Sequence, residues 1–195
     1  MSINYDFILT EYKEMFSEKR YYDGRFSSLI ALYISLITFT ISATVIVQGV
    51  ANISMNIINA IVALMCFLAG ILIFLSLYFN RVNYVKVCRQ INAIRQFCLK
   101  NNIPEFAEFN HMYVDDKFPK YFMKKSIHFI FFYFIAILNG IFSFFSLFLF
   151  FYEQALLLAI ILGILVGIII VFMEIFLVSY LSLLRDKKET NINVF

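Results

Sequence analysis

Residues 26–80 read FSSLIALYISLITFTISATVIVQGVANISMNIINAIVALMCFLAGILIFLSLYFN, 55 positions without one Asp, Glu, Lys or Arg, bounded by Arg25 and Arg81. At about 1.5 Å per residue, one helix of this length would span more than twice a hydrocarbon core about 30 Å thick. The run thins at Gln48-Gly49-Val50-Ala51-Asn52-Ile53-Ser54-Met55-Asn56, where Gly and Asn gather as turn formers. The pattern therefore predicts two helices, near Phe26–Val47 and Ile57–Phe79. Two further charge-free runs cover Ser126–Tyr152 and Gln154–Met173, parted at Glu153. They predict a tight hairpin of helices near Ile127–Phe151 and Ala155–Tyr180. Each helix reaches the roughly 20 residues needed to pair its backbone groups internally across lipid.

The rest of the chain agrees. Of 195 residues, 62% are hydrophobic and 15% charged, against roughly 45–50% apolar in soluble domains. A soluble enzyme, a secreted disulfide scaffold and a disordered chain are excluded on that ground. Two prolines and six glycines argue against an all-β or collagen-like chain. The fold class expected is all-α, an integral membrane four-helix bundle with cytoplasmic helical extensions.

All sixteen bases fall in three segments: 1–25, 81–125 and 181–195. An even number of crossings puts these on one face, and the positive-inside bias makes that face cytoplasmic. The expected organisation is a cytoplasmic amphipathic helix (1–25), a first transmembrane hairpin (26–80), a cytoplasmic helical loop (81–125), a second hairpin (126–180) and a cytoplasmic tail (181–195). The expected location is the cell inner membrane, with both termini cytoplasmic and no cleavable signal. The net charge of +3 reflects this retention pattern and anionic lipid, so no nucleic-acid partner is expected.

Segment 1–25 carries Ser2 or Asn4 as an N-cap, Asp6 in the first turn and an apolar face through Ile8, Tyr12, Met15 and Phe16. Its acids at Glu11, Glu14 and Glu18 favour packing on basic protein over anionic lipid. Arg81–Lys100 reads as helix continuous with the second span, since no Gly or Pro intervenes. Its apolar face runs through Tyr84, Val85, Cys88, Ile91 and Ile94, and Arg89, Gln96 and Lys100 lie on another. Pro104 ends it, and 105–120 is expected to hold a short helix before Pro119. The central segment, about 45 residues, is too small for an independent nucleotide-binding or catalytic domain.

Motifs of chemistry are absent: no Walker A loop, GxGxxG, HExxH, GxSxG or CxxC occurs. No enzymatic activity, cofactor or metal is expected. Cys66, Cys88 and Cys98 sit in a span or in reducing cytoplasm and read as small apolar side chains. With His111, Cys88 and Cys98 match no zinc spacing. His128 reads as an interfacial side chain or as a proton relay.

Glu174 is the one acid inside an apolar run. One reading pairs it at the headgroup level with Lys124 or Lys125; the other places it deeper, at a polar lumen where it selects cations or holds a gate. Small residues recur at helical spacing: Ala159, Gly163 and Gly167 on the fourth helix, Asn139, Ser143 and Ser146 on the third, and Ser28, Ser35, Thr38 and Ser42 on the first. They serve as packing seams, or one stripe, foremost Ser28/Ser35/Thr38/Ser42, lines a water path once several copies assemble. Arg89, Arg95 and Lys100 are candidates for docking an acidic partner or a phosphate-bearing signal, or they form a solvated retention face.

Lys19-Arg20-Tyr21-Tyr22-Asp23-Gly24-Arg25 before two uncharged spans, then Asn83-Tyr84-Val85 and Arg89-Gln90-Ile91-Asn92-Ala93-Ile94-Arg95-Gln96-Phe97, resembles the small two- and four-transmembrane effectors of bacterial anti-phage systems linked to cyclic-oligonucleotide signalling. The resemblance implies membrane disruption after activation by a nucleotide signal or a cytoplasmic sensor protein. The function expected is an oligomeric bacterial inner-membrane protein acting as a regulated pore or membrane-perturbing defence effector. Its expected partners are the lipid bilayer and further copies of itself. The alternatives are a transporter or flippase-like carrier with a midplane site near Asn139 and Ser143, and a non-conducting accessory subunit.

Overall fold

The computed structural model describes residues 5–48, 55–101 and 118–192. They form four helices and no strand: α1 (Tyr5–Gln48), α2 (Met55–Lys100), α3 (Ile127–Phe151) and α4 (Leu156–Ile192). Each contains a window long and apolar enough to cross a membrane. The Ser2 or Asn4 cap, the turn at 49–54, His111 and most of the 105–120 segment lie outside the described residues.

The third helix coincides with its predicted range. The other three run past the apolar segments that announce them. Residues 5–25 form the first half of α1 and not a separate amphipathic helix, and α1 continues through Arg25 without a break. Gly24 at that junction leaves open space where a Cβ would stand, and one interior glycine costs a helix only about 1 kcal/mol. Likewise α2 carries on through Arg81 to Lys100, and α4 continues past Tyr180 to Ile192. Lys, Arg, Gln and Glu are good helix formers, so charge ends an apolar run without ending the helix.

The chain divides into two compact units, Ser28–Tyr78 with Lys124–Leu181, and Met1–Ser27 with Phe79–Met123 and Ser182–Phe195. In the first unit, Phe129, Phe132, Ile135, Ala136, Asn139 and Ser143 make the buried face of α3, at three- and four-residue steps. Phe132 meets Phe74 of α2 edge to face, with centroids 5.3 Å apart, an arrangement aromatic rings prefer. Helices α3 and α4 touch backbone to backbone at Gly140 and Gly167. A Cβ on Gly140 would stand 2.9 Å from the Gly167 carbonyl oxygen, and one on Gly167 would stand 2.8 Å from that of Gly140. Only glycine admits this approach. Asn56 Nδ2 of α2 donates to Glu153 Oε1 in the α3–α4 turn at 3.0 Å.

In the other unit α2 is the spine, burying Val82, Val85, Cys88, Ile91 and Cys98. Residues 118–120 are not helical, so their carbonyls need hydrogen-bond donors from elsewhere. Three side chains of α2 supply them. Arg81 Nη2 donates to the Lys120 carbonyl (3.1 Å), Arg89 Nε to that of Pro119 (3.1 Å) and Asn92 Nδ2 to that of Phe118 (2.7 Å). Asp186 of α4 fixes the next two residues, accepting from the Tyr121 and Phe122 amides at 3.0 and 3.1 Å and from Arg89 Nη2 at 2.8 Å. The amino-terminal half of α1 joins through Tyr12 Oη, which accepts from Arg95 Nε (3.0 Å), and through the Tyr22 carbonyl, which accepts from Asn80 Nδ2 (2.9 Å).

Candidate functional site

In the unit built from Ser28–Tyr78 and Lys124–Leu181, four residues from four helices meet. Tyr33 (α1) and Asn139 (α3) are 1% and 0% exposed. Tyr33 Oη donates to Asn139 Oδ1 at 2.8 Å, and Asn139 Nδ2 donates to both oxygens of Glu174 (α4), at 2.9 and 3.2 Å. Gly70 (α2) makes room for the exchange: a Cβ there would fall 1.8 Å from Asn139 Oδ1 and 2.7 Å from Tyr33 Oη. Chemistry fixes the amide's sense, since its NH2 must face the carboxyl acceptors and its oxygen the phenolic donor.

Local sequence explains why these side chains converge. Asn139 lies on the same stripe of α3 as Phe132, Ala136 and Ser143, all buried. Glu174 follows Gly167 by two turns and precedes buried Val178 by one, so it shares the packed stripe of α4. Its side chain, like every long helical side chain, leans toward the amino terminus of its own helix. On α4 that direction is back toward the α3–α4 turn. Glu174 accordingly takes its hydrogen bonds from Asn139 and not from Lys124 or Lys125, the headgroup partners considered from sequence. Glu174 remains half-buried, so its carboxyl reaches from the sealed Tyr33–Asn139 pair to the edge of the unit.

This is an ordered chain, phenol to amide to carboxyl. It can hold a proton, or a small cation against the carboxyl oxygens with the amide fixing their position. Sequence reasoning named Asn139 and Glu174 but missed Tyr33 and Gly70. Tyr33 is the only tyrosine between Phe26 and Val47, and that was the available signal.

The other predicted residues fall elsewhere. Ser143 is buried one turn from Asn139. Gly163 seats the Phe144 ring, which a Cβ would meet at 2.8 Å, and Gly167 makes the α3 contact described above. Both therefore serve packing within this chain. Ser28, Ser35, Thr38 and Ser42 are exposed on the outer side of α1. Thr38 and Ser42 hydroxyls donate to the carbonyls of Ile34 and Thr38, each at 2.9 Å, which lets a hydroxyl face an apolar medium without a further partner.

Arg89 and Arg95 are engaged inside the other unit. Arg89 binds Asp186 and Pro119 and lies 4.5 Å from the Tyr121 ring centroid. Arg95 binds Tyr12 and Asn92. Lys100 is exposed at the end of α2. Among the described residues, no three of His, Cys, Asp and Glu gather as a metal would require. No family model, curated protein or solved structure matches this chain.

Proposed function

We propose that the chain is a four-span protein of a bacterial inner membrane, with its basic segments cytoplasmic, and that Tyr33, Asn139 and Glu174 handle a small cation, a proton included, on its way across. Embedding is supported by inverted polarity. Phe39, Leu157 and Phe172 are 74%, 73% and 70% exposed while Asn139 is fully enclosed. Water would penalise that arrangement, and lipid favours it. The cation reading rests on one observation: a carboxyl within the apolar part of α4 is held by an amide that is itself held by a phenol. Ionisable groups at such positions are costly to keep and mark ion and proton paths.

One four-helix unit has no room for an aqueous channel, so conduction requires several copies. Exposed Ser28, Ser35, Thr38 and Ser42 then supply a polar lining. A regulated pore of this kind would act as the membrane-disrupting effector that the sequence resemblance implies. A carrier is the second reading, favoured by the enclosure of Asn139 and Ser143.

Reconstituted liposomes test the proposal, with a potassium diffusion potential imposed and an internal pH dye as readout. The expected result is protein-dependent proton or potassium flux that falls to the protein-free background in Glu174→Gln. A solute-dependent, saturable flux without leak would select the carrier. Flux unchanged in Glu174→Gln, or no flux above empty liposomes for any cation, would overturn the reading.

A further inference from the structure

We propose that the cavity enclosed by the amino-terminal half of α1, the second half of α2 and residues 118–123 binds a phosphomonoester carried on an apolar or aromatic body. The cavity measures about 470 Å³, within the range of small-ligand sites. Among the described residues its cations are Lys19 and Arg95 and no Asp or Glu lines it, while Phe16, Tyr84, Ile91 and Phe118 make much of its wall.

Arg95 carries the inference. It is 8% exposed. Its Nε donates to Tyr12 Oη, its Nη1 reaches Asn92 Oδ1 at 3.5 Å, and its guanidinium lies 5.6 Å from the Phe16 ring centroid. Among the described residues its Nη2 makes no hydrogen bond, and no carboxylate pairs with it. A guanidinium buried this far without a counter-charge is costly, and an anion delivered to the cavity relieves that cost. Lys19 on the same wall adds a second positive charge, so a doubly charged phosphomonoester fits better than a carboxylate. The ring faces and Ile91 then take an apolar body. This site lies in a different unit from Glu174 and does not depend on the cation reading.

Such a phosphomonoester can be a soluble aryl or nucleoside monophosphate or a lipid of the phosphatidic acid type. The test is calorimetric titration of 1-naphthyl phosphate into the full-length protein in phosphatidylcholine nanodiscs. Saturable one-site binding is expected, weakened about tenfold or more by Arg95→Gln and measurably by Lys19→Gln, with inorganic phosphate binding far more weakly. Because Arg95 also holds Tyr12, a second variant is read beside it: Lys19, half-buried, makes no such contact among the described residues and gives an independent test. Nanodiscs doped with phosphatidic acid separate the sources: competition identifies a lipid, and an unaffected titration a soluble ligand.

Absence of saturable binding, equal affinity in wild type and Lys19→Gln, or inorganic phosphate binding as tightly as the aryl ester would overturn the proposal. So would binding that emerges only after Glu105, Glu108, Asp115 and Asp116 are neutralised, because the site would then serve the chain's own carboxylates.

Discussion

Gly70→Ala isolates the four-helix polar contact with a single methyl group. In an open helix the change is favourable by up to about 1 kcal/mol. Here the new Cβ would sit 1.8 Å from Asn139 Oδ1 and 2.7 Å from Tyr33 Oη, well inside van der Waals contact. Asn139 must move, and it cannot do so while keeping both the Tyr33 and the Glu174 bonds. Overpacking of this kind costs about 1–3 kcal/mol, and an interhelical hydrogen bond in a membrane is worth about 0.6–1.7 kcal/mol. Against the propensity gain, the net expectation is a loss of about 1–3 kcal/mol. Unfolding by sodium dodecyl sulfate in mixed micelles reads this directly. Gly24→Ala is the control, since nothing stands within 4 Å of its Cβ, and it should be neutral or slightly stabilising. Tyr33→Phe with Gly70→Ala should cost less than the sum of the two singles, because they break the same bond. If Gly70→Ala matched Gly24→Ala, or if the pair were additive, the packing described around Asn139 would be wrong.

Three further outcomes are expected. Gly167→Ala should destabilise by at least as much as Gly70→Ala, since its Cβ would meet the Gly140 carbonyl at 2.8 Å and backbone yields less readily than a side chain; the same micelle titration measures it. Asp186→Ala removes the acceptor of Arg89 and of two backbone amides. Both side chains keep some solvent contact, 14% and 19%, so a loss of about 2–3 kcal/mol is expected, with proteolysis near residue 121 as a local readout. Burial pushes the Cys88 and Cys98 thiols above the usual cysteine range. At pH 8 their thiolate fraction is thus below that of a free cysteine, and iodoacetamide should label them about tenfold or more slowly in the folded protein than in denaturant.

Sequence and structure agree most closely where polar residues bracket an apolar run on both sides. Lys124, Lys125 and Ser126 before it, and Glu153 and Gln154 after it, pinned α3 to Ile127–Phe151. The ends of α1, α2 and α4 were harder, because Arg25, Arg81 and Arg185 are compatible with both a membrane boundary and a continuing helix. Depth along a helix is countable in a sequence, but the partner across a bundle is not. Tyr33 and Asn139 lie 106 positions apart, and nothing local in either segment names the other. Glu174 shows the same limit. Its position near the end of an apolar run suggested lysine partners, whereas the backward lean of its side chain brought it to Asn139. Asp186 read as part of a polar tail, and its role emerges only once residues 121 and 122 are brought to α4.

Cysteine accessibility in intact cells tests membrane embedding most directly. In a background with Cys66, Cys88 and Cys98 replaced by alanine, single cysteines would be placed at Glu153, Lys86 and Lys187 and probed with a membrane-impermeant maleimide. Four crossings with the basic segments inside predict labelling at position 153 in whole cells, and at positions 86 and 187 only after lysis. Labelling of 86 or 187 from outside, or of all three equally in unbroken cells, would contradict it.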